Sequence, residues 1–427
     1  MKKYLIPIIS LSLLVFSSLV IAETKTFIKE YTYQASEADS KLACRVIALE
    51  QVKRLLLEEL GTYLESHTEI VNFQLRRDQI TALTAGIVQT QVLKEKWDGE
   101  RYWMQAKIEA DPDEVVKAVN SLRKDREKSK ELEDANKKAE AALHEVEKLR
   151  KELELAKKDQ TKIARYDEAV NELNAIDWFR KGLAEIRVGN YDEGISATTK
   201  AIQLNPQYAL AYVNRSSAYI KLRNYQKALA DSNKAIELDP RNSLAYTNRG
   251  IANRNLGNNQ LALADYNRAI ELDPRNEDAY VNYVNRAAAC INLGNHQQAL
   301  ADCNKAIELD PRNAIAYVNR SSAYIQLRNY QLALADCNKA IELDPGDSLA
   351  YTNRGIANRN LGNNQLALAD SNKAIELDPR NSNAYFNRGL AYGGLGNYQK
   401  KIEDIKVAAK LGLKEAQDLL KRERIGW

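Results

Sequence analysis

The chain has 427 residues, of which 44% are hydrophobic and 28% are charged. This composition is typical of a folded protein and excludes a wholly disordered chain, and the length predicts two or three domains. The 62 lysines and arginines nearly balance the 58 aspartates and glutamates, and the two signs are interleaved along the chain. The charge pattern therefore gives no reason to expect nucleic acid as a partner.

Residues 1–22 have the pattern of a secretory signal peptide. Lys2 and Lys3 form a positive start, an apolar run extends from Leu5 to Ile21, and Val20-Ile21-Ala22 supplies the cleavage site. The alternative is an uncleaved membrane anchor, which the proline and the serines within the run disfavour. We therefore expect an exported protein, in the periplasm of a Gram-negative cell, with no integral membrane span after cleavage.

Residues 23–112 are predicted to form a small α+β domain. Ser36 with Asp39 is expected to cap a helix that extends to about Leu64, and Asp98-Gly99 predicts a hairpin turn. The apolar face of the helix is predicted at Leu42, Val46, Val52, Leu56 and Leu60. The other predicted elements are strands at Thr26–Tyr33, Ile70–Leu75, Val88–Lys96 and Tyr102–Ile108 and a short helix at Ile80–Ala85.

Part of this first domain resembles a group of envelope proteins. The run Glu37-Ala38-Asp39-Ser40, together with Leu55–Gly61, is similar to amino-terminal domains of exported proteins such as the flagellar assembly protein T family. The resemblance implies that the domain docks to a component of the cell envelope.

Residues 113–172 are predicted to form a helical coiled-coil segment, because apolar residues recur every seven positions. One series is Leu132, Ala139, Val146, Leu153 and Gln160, and the other is Ala135, Ala142, Leu149, Ala156 and Ile163. The prediction is a parallel homo-oligomer through residues 132–163. The alternatives are a solvated single helix and a hairpin within one chain.

A repeated phrase dominates the rest of the chain. Ala-Ile-Glu-Leu-Asp-Pro ends at Pro240, Pro274, Pro311, Pro345 and Pro379, and a variant of it ends at Pro206. A period near 34 residues indicates an array that buries its core by stacking neighbouring units. Within each unit two apolar helical runs are separated by a short polar break and end before Asp-Pro, which predicts a helical hairpin.

The pattern resembles the tetratricopeptide repeat. With the proline at position 32 of each unit, position 4 holds Trp178, Tyr212, Tyr246, Tyr283, Tyr317, Tyr351 and Tyr385. Position 8 holds Gly182, Gly250, Gly355 and Gly389, and position 27 holds Ala201, Ala235, Ala269, Ala306, Ala340, Ala374 and Ala408. The resemblance implies a mostly α fold, an α-solenoid of about seven repeats over residues 173–413 with a capping helix at 414–427.

The units are not independent of one another. The fourth unit carries three extra residues, because Tyr280-Val281-Asn282 precedes a second Tyr-Val-Asn. The second and fifth units are nearly identical, and so are the third and sixth, with both pairs offset by 105 residues. A copied block of three repeats favours a long or repetitive ligand, and the alternative is expansion of the array without a selected ligand.

Three polar positions recur together in units two to seven. Position 7 is arginine and position 23 is aspartate; the arginines are Arg215, Arg249, Arg286, Arg320, Arg354 and Arg388. The aspartates are Asp231, Asp265, Asp302, Asp336, Asp370 and Asp404. We expect each arginine to pair with the aspartate of its own unit, as a partly exposed ion pair of about 0–1 kcal/mol.

The third position is an asparagine, at position 6: Asn214, Asn248, Asn285, Asn319, Asn353 and Asn387. This series resembles the asparagine ladder in the repeats of the protein O-linked N-acetylglucosamine transferase. The resemblance implies that position 6 lies on the concave face and that the amides hold the backbone of an extended peptide. The expected apolar lining includes Leu210, Val213, Ile220, Val318 and Ile325. The alternative is that copied repeats carry the asparagine without a function.

Other site chemistry is not indicated. The dicarboxylate clamp of some family members needs Lys at position 5 and Asn at position 9, where this chain has Val213 and Ser217. His67, His144 and His296 lie in three different segments, so we expect no enzymatic activity, no metal and no cofactor. The four cysteines are expected to be small buried side chains, with a disulfide as the alternative.

The sequence thus predicts a non-catalytic scaffold or adaptor that binds an extended peptide or partner protein in the concave groove of the array. The alternative is a structural spacer of an envelope machine that binds through its amino-terminal domain.

Overall fold

The computed structural model describes residues 24–37, 39–67, 88–124, 126–155, 159–274 and 279–426. The signal peptide, the strand predicted at 70–75 and the helix predicted at 80–85 lie outside these residues. The chain divides into two units, residues 1–121 and 122–427. Within the described ranges, no helix has both the length and the apolar character needed to cross a membrane.

The described residues of the first unit form three antiparallel strands, a long helix and most of a shorter one. The elements are β1 (Lys25–Gln34), α1 (Lys41–His67), β2 (Thr90–Trp97), β3 (Arg101–Ala110) and α2 (Pro112–Lys124). The strand order is β1-β3-β2, with Phe27 opposite Ile108 and a bulge between Val92 and Lys94. Helix α1 packs on β1 and β3 and buries Val52, Leu56 and Leu60.

The predicted hairpin and helix of this unit are present, with two differences. Gly99 takes a positive φ of 101° in the turn, where Asp98 accepts hydrogen bonds from the backbone of Glu100 and Arg101. These backbone donors lower the pKa of Asp98 below its ordinary value. Helix α1 begins after Ser40, whose hydroxyl accepts from the backbone of Ala43, and not at Ser36. Leu42, predicted to be on the buried face, is 52% exposed because it lies in the first turn.

The heptad segment folds back within the chain. Helix α3 spans Arg126–Leu155, and α4 (Gln160–Arg187) begins after Asp159, which caps its first turn. Ion pairs from Lys162 to Glu152 and from Arg165 to Glu145 join the two helices. The arrangement is the intrachain hairpin among the predicted alternatives.

This hairpin covers much of the heptad seam from within the chain, and the parallel oligomer through residues 132–163 stays a prediction. The heptad residues Leu132, Ala135, Ala139, Val146, Leu149 and Leu153 are buried. Helix α3, which carries them, packs against α4 of the same chain. The break at Asp159 also interrupts both heptad series before Gln160 and Ile163.

The array consists of seven helical hairpins. Repeat 1 combines the second half of α4 with α5 (Tyr191–Leu204). Repeats 2 to 4 are α6 (Ala209–Lys221) with α7 (Tyr225–Leu238), α8 (Ser243–Asn255) with α9 (Asn259–Leu272), and α10 (Ala279–Asn292) with α11 (His296–Leu309). Repeats 5 to 7 are α12 (Ala314–Gln326) with α13 (Tyr330–Leu343), α14 (Ser348–Asn360) with α15 (Asn364–Leu377), and α16 (Ser382–Gly394) with α17 (Tyr398–Lys410). Helix α18 (Lys414–Arg422) follows and buries Ala416 and Leu420 against the last repeat.

Small residues set the helix spacing in each repeat. The second helix of repeat 2 buries Ala228 and Ala235 completely, and the equivalent alanines of the other repeats are buried as well. A left-handed residue at position 15 reverses the chain between the two helices. Each first helix packs against its own second helix, the preceding second helix and the neighbouring first helices. The cores are therefore shared between neighbours, as expected for an array.

Candidate functional site

The predicted arginine–aspartate pairs form in all six repeats that carry them. In repeat 2, Arg215 donates from Nε and Nη2 to the two carboxylate oxygens of Asp231, at 2.8 Å each. Arg286, Arg320 and Arg388 make the same two-pronged contact. In repeats 3 and 6, Arg249 and Arg354 bind one carboxylate oxygen, because an asparagine side chain occupies the other.

These pairs are more buried than the sequence led us to expect. The aspartate side chains keep only 2–9% of their surface exposed, and the arginines keep 15–26%. Hydrogen bonds to Asp336 raise the pKa of Arg320, and partial burial opposes that shift. Loss of either partner would leave a charge in a poorly solvated place, which costs far more than loss of an exposed pair.

A third partner, which the sequence reasoning missed, links each pair to the preceding repeat. Nη1 of Arg320 donates to Oδ1 of Asn304 at 2.7 Å, and Asn304 lies on the second helix of repeat 4. The equivalent acceptors are Thr199, Asn233, Asn267, Asn338 and Asn372. The signal was present, because position 25 is asparagine in five consecutive units. Each arginine therefore joins two repeats.

The position 6 asparagines also bridge repeats. The side-chain nitrogens of Asn248, Asn319 and Asn353 donate to the backbone oxygens of Val213, Val284 and Val318, at 3.1–3.3 Å. Each of these oxygens belongs to position 5 of the preceding first helix. The amide nitrogens that were expected to bind a peptide are thus used inside the array, which the sequence analysis did not foresee.

The other three asparagines differ from this pattern. Asn214 is buried and donates to the backbone oxygen of Leu210 in its own helix. Asn387 is buried between the side chains of Arg359 and Ser371. Asn285 is half-buried, and its side chain makes no hydrogen bond with the described residues.

The predicted apolar lining divides into two groups. Val213 and Val318 are buried in clusters between consecutive repeats, with Ala235 and Ala245 around Val213, so they are core residues and do not line a groove. Leu210, Ile220 and Ile325 are half-buried on first helices. The most exposed apolar side chains of the first helices are at position 2, where Ile315 is 58% and Leu349 54% exposed.

Comparison with known families now places these repeats. Tetratricopeptide repeat models match residues 179–242, 215–281, 282–313, 314–347, 337–369 and 372–403. The chain belongs to the tetratricopeptide repeat (TPR) family. No curated protein matches the whole chain or a part of it.

Several solved TPR structures are similar to the array. YrrB, a TPR protein with an unusual peptide-binding site, is 25% identical over 44% of this chain and 96% of its own, with a TM-score of 0.36. A TPR protein from Parabacteroides merdae ATCC 43184 is 23% identical over 58% of this chain and 97% of its own, with a TM-score of 0.46. PilW, a type IV pilus biogenesis factor, is 16% identical over 49% of this chain and 96% of its own, with a TM-score of 0.44. At this level of similarity, we transfer no partner of these proteins to the chain.

The cysteines of the TPR array form no disulfide among the described residues and are buried, and Cys44 of the first unit is buried as well. Burial raises the pKa of the Cys290 thiol to about 11 and that of Cys303 and Cys337 to about 12. A thiol is reactive only as the thiolate, so these three act as small core side chains at neutral pH. Cys290 and Cys303 lie in one cluster with Ala287, Ala299 and Ala323.

Proposed function

We propose that the TPR array binds an extended segment of a partner protein along the surface of its first helices. TPR proteins are scaffolds for protein interactions, so the coarse function follows from the family. The observation that carries the finer proposal is the position 2 pair, Ile315 and Leu349. Both are apolar, more than half exposed and one repeat apart on neighbouring first helices. Two apolar side chains at this spacing offer contacts one repeat apart to an extended peptide chain.

The proposal keeps a reduced form of the asparagine ladder. The amides of Asn248, Asn319 and Asn353 already donate to backbone oxygens between repeats, so we assign them to the integrity of the surface. Asn285 lies in the middle of the array without such a bond among the described residues, so we assign it to the ligand. An asparagine amide offers both a donor and an acceptor to a peptide group.

Photocrosslinking tests the surface. A photoreactive amino acid at Ile315 probes the first helices, and one at Leu366 on the second helix of repeat 6 is the control, because Leu366 is 57% exposed. We expect position 315 to crosslink, in the native cell, to one extended stretch of one partner. Crosslinks from Leu366 with none from Ile315 would move the binding surface to the second helices.

A pair of asparagine variants separates binding from packing. Asn285→Ala should weaken binding of that crosslinked segment and leave the thermal midpoint unchanged. Asn319→Ala should lower the midpoint, because it removes the bond to Val284. If both variants retain wild-type affinity, the asparagine part of the proposal is wrong. If position 315 has no partner at all, the spacer alternative takes its place.

We also propose that the chain is exported to the periplasm and cleaved after Ala22. The support is the order of Lys2 and Lys3, an apolar run and a small residue in the sequence. The mass of the protein recovered from the periplasmic fraction tests this, with residues 23–427 expected. Recovery of the uncleaved chain from the cytoplasm would contradict it.

A further inference from the structure

Two first helices of the array have the same sequence and different surroundings. Helices α8 and α14, of repeats 3 and 6, both read Ser-Leu-Ala-Tyr-Thr-Asn-Arg-Gly-Ile-Ala-Asn-Arg-Asn. Position 24 of the following helix is Tyr266 in repeat 3 and Ser371 in repeat 6. Repeat 4 also carries three extra residues at its start, which repeat 7 lacks. The junction of repeats 3 and 4 is therefore comparable, residue by residue, with the junction of repeats 6 and 7.

The junction of repeats 6 and 7 is closed by Asn387. Its Nδ2 donates to Ser371 Oγ at 2.9 Å, and its Oδ1 accepts from Arg359 Nε at 2.9 Å. The amide lies against Gly355, where an added Cβ would be only 2.8 Å from Nδ2. The oxygen of Asn387 thus occupies the acceptor place in front of the arginine at position 12.

At the junction of repeats 3 and 4, an aromatic ring takes the place of that amide. The ring of Tyr266 lies against Gly250, where an added Cβ would be 2.6 Å from its Cε1. Tyr266 is fully buried and packs with Ala262 and Ala289 between the repeats. The first helices α8 and α10 also pack less closely on each other than other consecutive first helices do.

Three polar groups are poorly paired at this junction. Arg254 Nε and the Tyr266 hydroxyl are buried and have no partner in good hydrogen-bond geometry among the described residues, although the hydroxyl and the Arg254 guanidinium lie within reach of each other. Burial raises the pKa of Tyr266, and the adjacent Arg254 guanidinium opposes that shift. The third group at this junction is the side chain of Asn285, which makes no hydrogen bond with the described residues.

The position 23 aspartate of this repeat does not supply the missing acceptor. Asp265 accepts from Arg249 at Oδ1 and from Asn253 at Oδ2, so both of its oxygens are engaged. Within the described ranges, Arg254 has no ion pair, whereas every position 7 arginine of repeats 2 to 7 has one. Buried donors without acceptors are costly, so a ligand oxygen that satisfies them gains affinity.

We propose that an aspartate or glutamate side chain of the extended partner segment binds Arg254 and Asn285 at the junction of repeats 3 and 4. The proposal rests on the function proposed above and specifies its ligand. An arginine beside donor groups favours a carboxylate, which accepts charge-assisted hydrogen bonds. Arg359, the equivalent arginine at position 12 of repeat 6, is not available to a ligand, because it already donates to Oδ1 of Asn387. The array then has one acid-binding position near its centre, although the sequence of the first helix is present twice.

The test uses a library of random linear peptides displayed on phage and panned on the full protein. Wild type and the matched variant Arg359→Gln should select peptides with an aspartate or glutamate at one fixed place. Arg254→Gln should select peptides without that preference. If Arg254→Gln selects the same acidic peptides, or if wild type shows no acidic preference, the inference is overturned while the proposed function stands. If no variant selects any peptide, the proposed function fails as well.

A synthetic copy of the selected peptide measures the effect. Replacement of its acidic residue by the matching amide, or of Arg254 by Gln, should raise the Kd roughly tenfold to a hundredfold, and the two changes together should cost little more than one. Arg254→Glu should restore binding to a peptide with lysine at that place, which a loss of folding does not predict. An amidated C-terminus should leave the Kd unchanged, and a loss of binding on amidation would overturn the side-chain assignment.

Discussion

The junctions of repeats 3 and 4 and of repeats 6 and 7 show how one helix sequence acquires two roles. In both, the first helix carries the same arginine at position 12 and the same glycine at position 8. Asn387 closes the second junction, and at the first junction the ring of Tyr266 lies against Gly250. The difference arises on the neighbouring elements. In a copied array, a site is therefore defined by the substitutions that break the copy.

The largest expected effect tests what the two junctions share. Asp265→Ala and Asp370→Ala should each destabilise their repeat by about 3 kcal/mol, at the lower end for a buried pair because the arginines keep a quarter of their surface exposed. Hydrogen exchange of the amides of α9 and α15 would measure this locally. Glu271→Ala and Glu376→Ala are controls and should change stability by about 0.5 kcal/mol or less, since their ion pairs are exposed. Unequal losses for the two aspartates would show that the framework is not shared.

A second substitution gives the junction of repeats 6 and 7 the tyrosine found at the junction of repeats 3 and 4. Ser371→Tyr should place a ring against Gly355, displace Asn387 and cost about 1–3 kcal/mol by overpacking. It should also release Arg359 and add a second position that binds an acidic peptide, which a titration would show as a second equivalent. A destabilised variant that binds one equivalent would argue against the role given to position 24.

The two glycines provide a smaller test. An alanine gains helix propensity over glycine, but Gly250→Ala brings a Cβ against the ring of Tyr266, so we expect a net loss of about 1–2 kcal/mol. Gly355→Ala meets the end of the Asn387 side chain, which can rotate away, and should lose less. Thermal unfolding of the two variants decides the order. Equal losses would mean that the ring of Tyr266 moves as readily as the amide.

The smallest expected effect concerns the turn between the two helices of repeat 2 and of repeat 5. Position 15 is left-handed in every repeat, and it is arginine only in repeats 2 and 5, with φ of 57° at Arg223 and 62° at Arg328. Glycine adopts this conformation without strain, so Arg223→Gly and Arg328→Gly should each stabilise the protein by about 0.5–1 kcal/mol. Urea unfolding would detect the gain, and a loss on either substitution would assign the arginine a packing role.

The repeat architecture and the arginine–aspartate pairs could be predicted because both follow from periodic sequence. A period of 34 fixes the hairpins, and two charges that always occur together indicate a contact. The direction in which the position 6 asparagine side chains point was harder to predict, since it depends on which backbone oxygen is within their reach. Asn319 meets the carbonyl of Val284, and no pattern of residue types reveals that bond.

The partner of the heptad segment could not be predicted either. The heptad series of alanines and leucines indicates that one face of the helix is buried. It does not indicate which helix packs against that face. Helix α4 begins after its cap at Asp159 and packs against the seam. At the junction of repeats 3 and 4, the sequence showed Tyr266 only as a tyrosine at position 24, which is serine or cysteine in repeats 2, 4, 5 and 6. Its contact with Gly250 required the structure.

The most direct test is a pair of double-mutant cycles at the two junctions, read as free energies of unfolding. The first cycle combines Arg359→Ala with Asn387→Ala, and the second combines Arg254→Ala with Asn285→Ala. We predict a coupling of about 1.5–3 kcal/mol in the first, where a 2.9 Å hydrogen bond joins the side chains, and a coupling near zero in the second. Equal coupling in both cycles would mean that Asn285 closes its junction as Asn387 does, and it would contradict the open site at the centre of the array.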